Sequence, residues 1–97
     1  MELPNDFNDL AKEIANWIID YANNNKSGFS IRLSTYAEDY IVNISNHYDY
    51  TDEEYDKLED MFVNALANNI HKELDDKFIV KDIKDNIKGF ILDITCR

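Results

Sequence analysis

Two stretches of this chain repeat apolar residues at helical spacing, and two short runs between them alternate instead. In the first stretch, Phe7, Leu10, Ala11, Ile14, Trp17, Ile18, Tyr21 and Ala22 recur at intervals of three and four residues. They form one stripe on an amphipathic helix. In the second, Tyr55, Leu58, Met61, Phe62, Ala65, Leu66 and Asn69 trace another. Between them, Phe29, Ile31 and Leu33 alternate with Ser30, Arg32 and Ser34, and Tyr40, Val42 and Ile44 alternate with Ile41, Asn43 and Ser45. Period-two alternation with one apolar face predicts half-buried antiparallel strands. The short connection at 36–39 then reads as a hairpin loop.

The helix ends are readable as well. Asn5 or Asp6 is expected to cap the first helix, and Gly28 to take the left-handed conformation at its exit. Thr51-Asp52-Glu53-Glu54 fits a capping box that opens a helix running to about Leu74 or Asp75. Trp17 lies within the first stripe and reads as a core anchor in preference to a ligand-stacking residue. Residues 77–88 fit two templates. Lys77-Phe78-Ile79-Val80-Lys81 suits a strand, whereas a helix places Ile79, Val80, Ile83 and Ile87 on one arc and Lys77, Lys81, Lys84 and Lys88 on another. The helix accounts for more residues and is preferred, with Gly89 as its exit. Phe90, Leu92, Ile94 and Cys96 then alternate in a closing strand. The expected fold is α+β, with a small antiparallel sheet of about three strands and helices packed on one face. The preferred order is α-β-β-α-α-β, and α-β-β-α-β-β is the alternative.

The 97 residues are expected to form a single domain, 1–97. No run approaches the roughly 20 apolar residues of a membrane span. The first residues show no basic region followed by an apolar core, so no secretory signal is expected. The single cysteine, Cys96, cannot form an internal disulfide. Together these favour a reducing, cytoplasmic setting.

Reaction chemistry is hard to place on this sequence. Nucleophilic catalysis needs an activated Ser, Cys or Lys beside a base. Here Cys96 is next to last, and His47 and His71 are the only histidines. The same scarcity argues against zinc, although His71 with Asp75 could share a metal given outside ligands. Residues 49–60 have the length of a calcium loop, but Glu54 stands where the turn glycine must be, inside a predicted helix. With Gly28 and Gly89 the only glycines, no phosphate-cradling loop can form. No enzyme activity, cofactor or metal is expected.

Charge is the strongest functional signal. Residues 36–60 hold nine acids (Glu38, Asp39, Asp49, Asp52, Glu53, Glu54, Asp56, Glu59 and Asp60) against Lys57, a net −8 of the whole-chain −10. They also hold Tyr36, Tyr40, Tyr48, Tyr50 and Tyr55. The bland explanation is substantial: acids in a first helical turn stabilise the helix, charged faces keep small domains soluble, and Tyr40 and Tyr55 suit the core. Against it, the charge is concentrated, and Tyr36, Tyr48 and Tyr50 fall in predicted loops where packing does not require them. An anionic, tyrosine-rich patch suits a basic protein surface. It does not suit direct contact with nucleic acid or an anionic membrane. The candidate partner-binding residues are Tyr36, Tyr48, Asp49, Tyr50, Asp52, Glu53, Asp56, Glu59 and Asp60.

Glu38-Asp39, Asp49-Tyr50-Thr51-Asp52-Glu53-Glu54-Tyr55-Asp56 and Glu59-Asp60, set in a small Asn-, Ile- and Lys-rich chain, resemble the small acidic inhibitor proteins of phages and mobile elements. These include anti-CRISPR proteins and DNA mimics. The likeness is one of composition and architecture and rests on no diagnostic motif. It implies a non-enzymatic inhibitor that occupies the basic nucleic-acid-binding surface of a host defence nuclease, in the cytoplasm of a bacterial host cell if the chain is phage-encoded. The charge-balanced residues 61–97 depart from mimics that are acidic throughout and imply a localised contact. The alternative reading is a homodimeric accessory or regulatory protein whose acidic face confers solubility only.

Overall fold

The structure, a computed structural model, describes residues 2–45 and 50–97, with residues 41–45 described in the backbone alone. It is α+β: three helices and an open, three-stranded antiparallel sheet. The elements are α1 (Asn5–Asn24), β1 (Phe29–Arg32), α2 (Leu33–Ser45), α3 (Asp52–Leu74), β2 (Phe78–Asp85) and β3 (Gly89–Cys96). The sheet order is β1-β3-β2, so the last strand lies in the middle. Phe29 pairs with Ile94 at one edge, and β2 pairs along its whole length, from Phe78↔Cys96 to Asp85↔Gly89.

Phe90, Leu92 and Ile94 alternate onto the buried face of β3 and join Phe78 of β2. The helices cover this face. Phe7, Ala11, Ile14, Ala15, Ile18 and Ala22 of α1 meet Phe62, Val63, Leu66, Ala67, Ile70 and Leu74 of α3 in one cluster, and Leu33 and Ala37 of α2 complete it. Phe7 and Phe62 stand edge to face with ring centroids 6.0 Å apart, a favoured aromatic geometry. No described element covers the opposite face of the sheet, where Ile79 and Ile83 are exposed and Ile91 partly so.

The capping box on α3 forms as the sequence predicts. The Thr51 hydroxyl accepts from the Glu54 backbone N–H at 3.3 Å, and the Glu54 carboxylate accepts from the Thr51 N–H at 3.1 Å. Helix α3 ends at Leu74, also as expected. Helix α1 is different. Its cap position is Pro4, which has no side-chain hydrogen bond, and Asn5 and Asp6 are already helical. The Pro4 carbonyl accepts from Phe7 and Asn8, and the fixed φ of proline suits a helix start.

Two further segments depart from the sequence reading. Residues 40–45, expected as a strand, continue helix α2, and Leu33, expected on a strand face, begins it. Leu33, Tyr36, Ala37 and Tyr40 sit at i, i+3, i+4 and i+7, with Leu33 and Ala37 fully buried and both tyrosines packed against the core. Alternation over six residues is too short a window to outweigh that spacing. Residues 77–88, preferred as a helix, instead supply strand β2 and a hairpin turn. The isoleucines expected to share one helical arc are exposed, Ile87 by 89 % at the turn. The Asp85 carboxylate accepts from the Ile87 and Lys88 N–H groups at 2.7 and 3.3 Å, and so closes the turn. Those two hydrogen bonds lower the Asp85 pKa. The lysines have a role here, because charged side chains discourage further pairing on an edge strand.

Gly89 is indeed at an exit, but of this turn. Its φ is 78°, and a Cβ there would overlap the Ser34 hydroxyl group. Gly89→Ala is therefore expected to destabilise the fold by about 1–2 kcal/mol from the left-handed backbone alone. Displacement of Ser34 adds to this. A thermal melt no lower than that of the parent would contradict this account.

Candidate functional site

The described acidic residues of segment 36–60 come from two helices. Asp52, Glu53, Asp56 and Asp60 are exposed on the first three turns of α3, and Glu59 beside them is partly buried. Residues 36–39, expected as a loop, belong to α2, which contributes exposed Glu38 and Asp39. Glu38 is close enough to raise the pKa of Glu59. Its own ion pair, with Arg32 at 3.8 Å, is loose.

The position of Glu59 follows from helix geometry. Val63 lies one turn further along α3, and with Ala67 and Ile70 it marks the start of a buried arc. Glu59 stands where that arc meets solvent. Burial pushes its carboxyl above the usual value of 4.5, and the charges of Glu38, Asp60 and Asp56 push it in the same direction. A cleft of about 400 Å³ opens here. Glu59 and Asp60 line one side, Ser34 the head of α2, and Lys84, Asp85 and Phe90 the hairpin. The Lys84 ammonium lies 5.2 Å from the Phe90 ring centroid, so the cleft holds one cation held against an aromatic ring.

The tyrosines divide. Tyr55 and Tyr40 pack against the core, Tyr40 from helix α2 and not from the strand expected there. Tyr50 lies at the foot of α3 with its ring edge-on to Tyr55 at 5.8 Å, so it stays beside the acids. Tyr36 does not. It is two residues from Glu38, about 200° around the helix, and it packs on the core and lines a different groove with Trp17. Tyr48 and Asp49 lie outside the described residues. Trp17, expected in the core, is 53 % exposed, because the buried arc of α1 is centred on Ala11, Ile14 and Ile18 and Trp17 falls on its border.

The sequence spacing pointed to Asp75 as a neighbour of His71 and not to Asp82. The His71 ring bridges Asp75, the residue that caps α3, and Asp82 on β2, with Nδ1 2.8 Å from the first carboxylate and Nε2 2.6 Å from the second. Only the protonated imidazole donates to both. Partial burial lowers its pKa, but the hydrogen bonds to Asp82 and Asp75 and their charges outweigh that and hold it above 6.5. The outside carboxylate that a metal would have required is present, yet the two acids take opposite nitrogens. Among the described residues, no group of three or more His, Cys, Asp or Glu is placed to hold a metal ion.

The bridge gives a pH prediction. Because the folded-state pKa is raised, its stabilisation is complete below about pH 6.5 and is lost as pH rises through the higher folded value. The urea midpoint of the parent should fall between about pH 6 and pH 8, and in His71→Gln that component should vanish. An identical pH profile in both proteins would refute the bridge.

No described helix is long and apolar enough to cross a membrane. Comparison with protein-family models, with curated proteins and with solved structures finds no match.

Proposed function

We propose that this chain is a non-enzymatic inhibitor that binds the basic nucleic-acid-binding surface of a partner protein through the acidic face shared by α2 and α3. The observation that carries this reading is the meeting of Glu38 with Asp56, Glu59 and Asp60. Glu59 is partly buried there, which raises its carboxyl pKa, and the charges of Glu38, Asp60 and Asp56 raise it further. Like charges held together on a folded surface are unfavourable in the free protein, and a cationic partner relieves them. Carboxylates one helical turn apart are about 5–6 Å from each other, a spacing on the scale of successive phosphates. A groove built for nucleic acid fits such a row, and a defence nuclease is the partner class we favour. Tyr50 supplies aromatic contact area at the end of the row.

The test is competitive binding. Immobilised chain is exposed to cell extract at about 50 mM salt, where surface electrostatics are strongest. The expected result is a retained nucleic-acid-binding protein that heparin releases. The purified partner should then lose duplex DNA as the chain is added. A partner that holds the chain and DNA together, or that stays bound when salt is raised to about 200 mM, sinks the proposal.

A further inference from the structure

Strand β2 is an outer strand of the sheet. It pairs with β3 along its whole length, and no described strand pairs with its other side, which presents backbone donors and acceptors. The edge reads Lys81-Asp82-Ile83-Lys84-Asp85, and every one of these residues is exposed. Lys81, Ile83 and Asp85 point to the face that no described element covers, where Ile83 lies beside Ile91 of β3. Asp82 and Lys84 point to the helix side, where Asp82 meets His71 and Lys84 leans on the Phe90 ring. Lys81 and Lys84 guard this edge against strands in general. Asp82 and Asp85, set between and beyond them, make one register an exception.

Opposite residues of an antiparallel ladder point to the same face, so a two-fold pairing of β2 with a second copy is centred on a residue that meets its own image. Charge selects which one. Centred on Lys81, Asp82 or Lys84, the pairing sets a charge against itself. Centred on Val80, it sets Lys81 against Ile79 and Asp82 against Phe78. Centred on Ile83, it sets Asp82 against Lys84 of the second copy and Lys81 against Asp85 of the second copy. Symmetry repeats both pairs, so opposite charges flank the contact between the two Ile83 side chains on either side and on both faces of the sheet. His71 bonds Oδ1 of Asp82, and the turn N–H groups donate to Oδ1 of Asp85, so Oδ2 of each is the atom that a facing lysine meets. The other edge carries no such code: β1 is four residues long, and Arg32, its one charged residue, pairs with Glu38. We propose that two copies of this chain join edge to edge through β2, antiparallel and centred on Ile83, into one continuous sheet of order β1-β3-β2-β2-β3-β1. This contact is independent of the partner-binding face on α2 and α3.

Each copy carries −10, a long-range repulsion that salt of about 0.15 M screens beyond about 8 Å. At that salt the sedimenting mass should rise with concentration from 11.4 kDa toward twice that value. Amide exchange at the outward N–H groups of residues 81–85 should slow as the chain associates, while residues 29–32 stay unchanged. Lys81→Glu with Lys84→Glu should weaken the dimer about a hundredfold with unchanged circular dichroism, because it turns every charge pair into a like-charge contact. Lys12→Glu with Lys26→Glu makes the same change in net charge away from the edge and should weaken it by less than about threefold. In a Cys96→Ser background, which removes the native thiol, Ile83→Cys should oxidise to a cross-linked dimer, since it faces its own image. Ile79→Cys should not, because a centre at Ile83 places residue 79 about 26 Å from its image. The proposal is overturned by a chain that stays monomeric up to about millimolar concentration, or by a dimer that the two edge-lysine substitutions leave intact. It is also overturned by exchange protection on residues 29–32 in place of 81–85, or by cross-linking of Ile79→Cys in place of Ile83→Cys.

Discussion

Replacing Asp52, Asp56 and Asp60 together by asparagine should slow association with the proposed basic partner by about tenfold or more at low salt and leave the fold intact. All three carboxylates are exposed, and none takes part in the capping box, which uses Thr51 and Glu54. The structural cost is confined to Asp52, whose charge in the first turn favours the positive helix end by about 0.3–1 kcal/mol. Asp56 and Asp60 act the other way, since both repel Glu59. Their removal should bring the Glu59 carboxyl back toward its ordinary value, readable by NMR titration independently of any partner.

The sign of the stability effect follows from the same group. The folded-state pKa of Glu59 is raised, so its favourable contribution is complete below about pH 4.5 and is lost as pH rises through the folded value. At neutral pH the parent therefore carries the unfavourable, ionised form, and the triple variant relieves part of it. Stopped-flow association across a salt series checks the kinetic half. An on-rate that matches the parent at low salt would show that these acids do not steer the partner.

The legible parts of this fold were those written in one local code. The α1 stripe, the Thr51–Glu54 box and the alternation of β3 each depend on residues within a few turns of one another, and each forms. The unread parts depend on competition between codes or on distant partners. In residues 33–45 a short alternation coincided with a helical spacing begun by Leu33 and Ala37, and burial of those two residues decided between them. In residues 77–88 the isoleucines matched a helix, but whole-length pairing with β3 made the strand. The site suffered accordingly. With α2 unread, Glu38 could not be set beside Glu59, and Tyr36 was placed with acids that the helix turns away from it. The bridge from His71 to Asp82 spans two elements, so local spacing carries no trace of it.

Phe62→Ala should produce the largest loss of stability, about 3–5 kcal/mol in urea unfolding. Phe62 is fully buried, and its ring meets Phe7 where α1 crosses α3. Truncation removes that aromatic contact and leaves a cavity that two facing helices cannot easily close. Against the total of about 5–15 kcal/mol expected for a domain, this is a large fraction, and the melting temperature should fall by more than about 10 °C. Ile87→Ala is the matched control: its side chain is 89 % exposed at the β2–β3 turn, and its loss should be under about 0.5 kcal/mol. The two main variants are expected to separate cleanly. Phe62→Ala, studied below its melting point, should associate with the partner at the parental rate, because it removes carbon and no charge. The acid-to-amide variant should keep its stability and lose its rate. If Phe62→Ala slows association as much as the triple substitution does, recognition depends on the relative placement of α1 and α3 and not on the charges carried by α3.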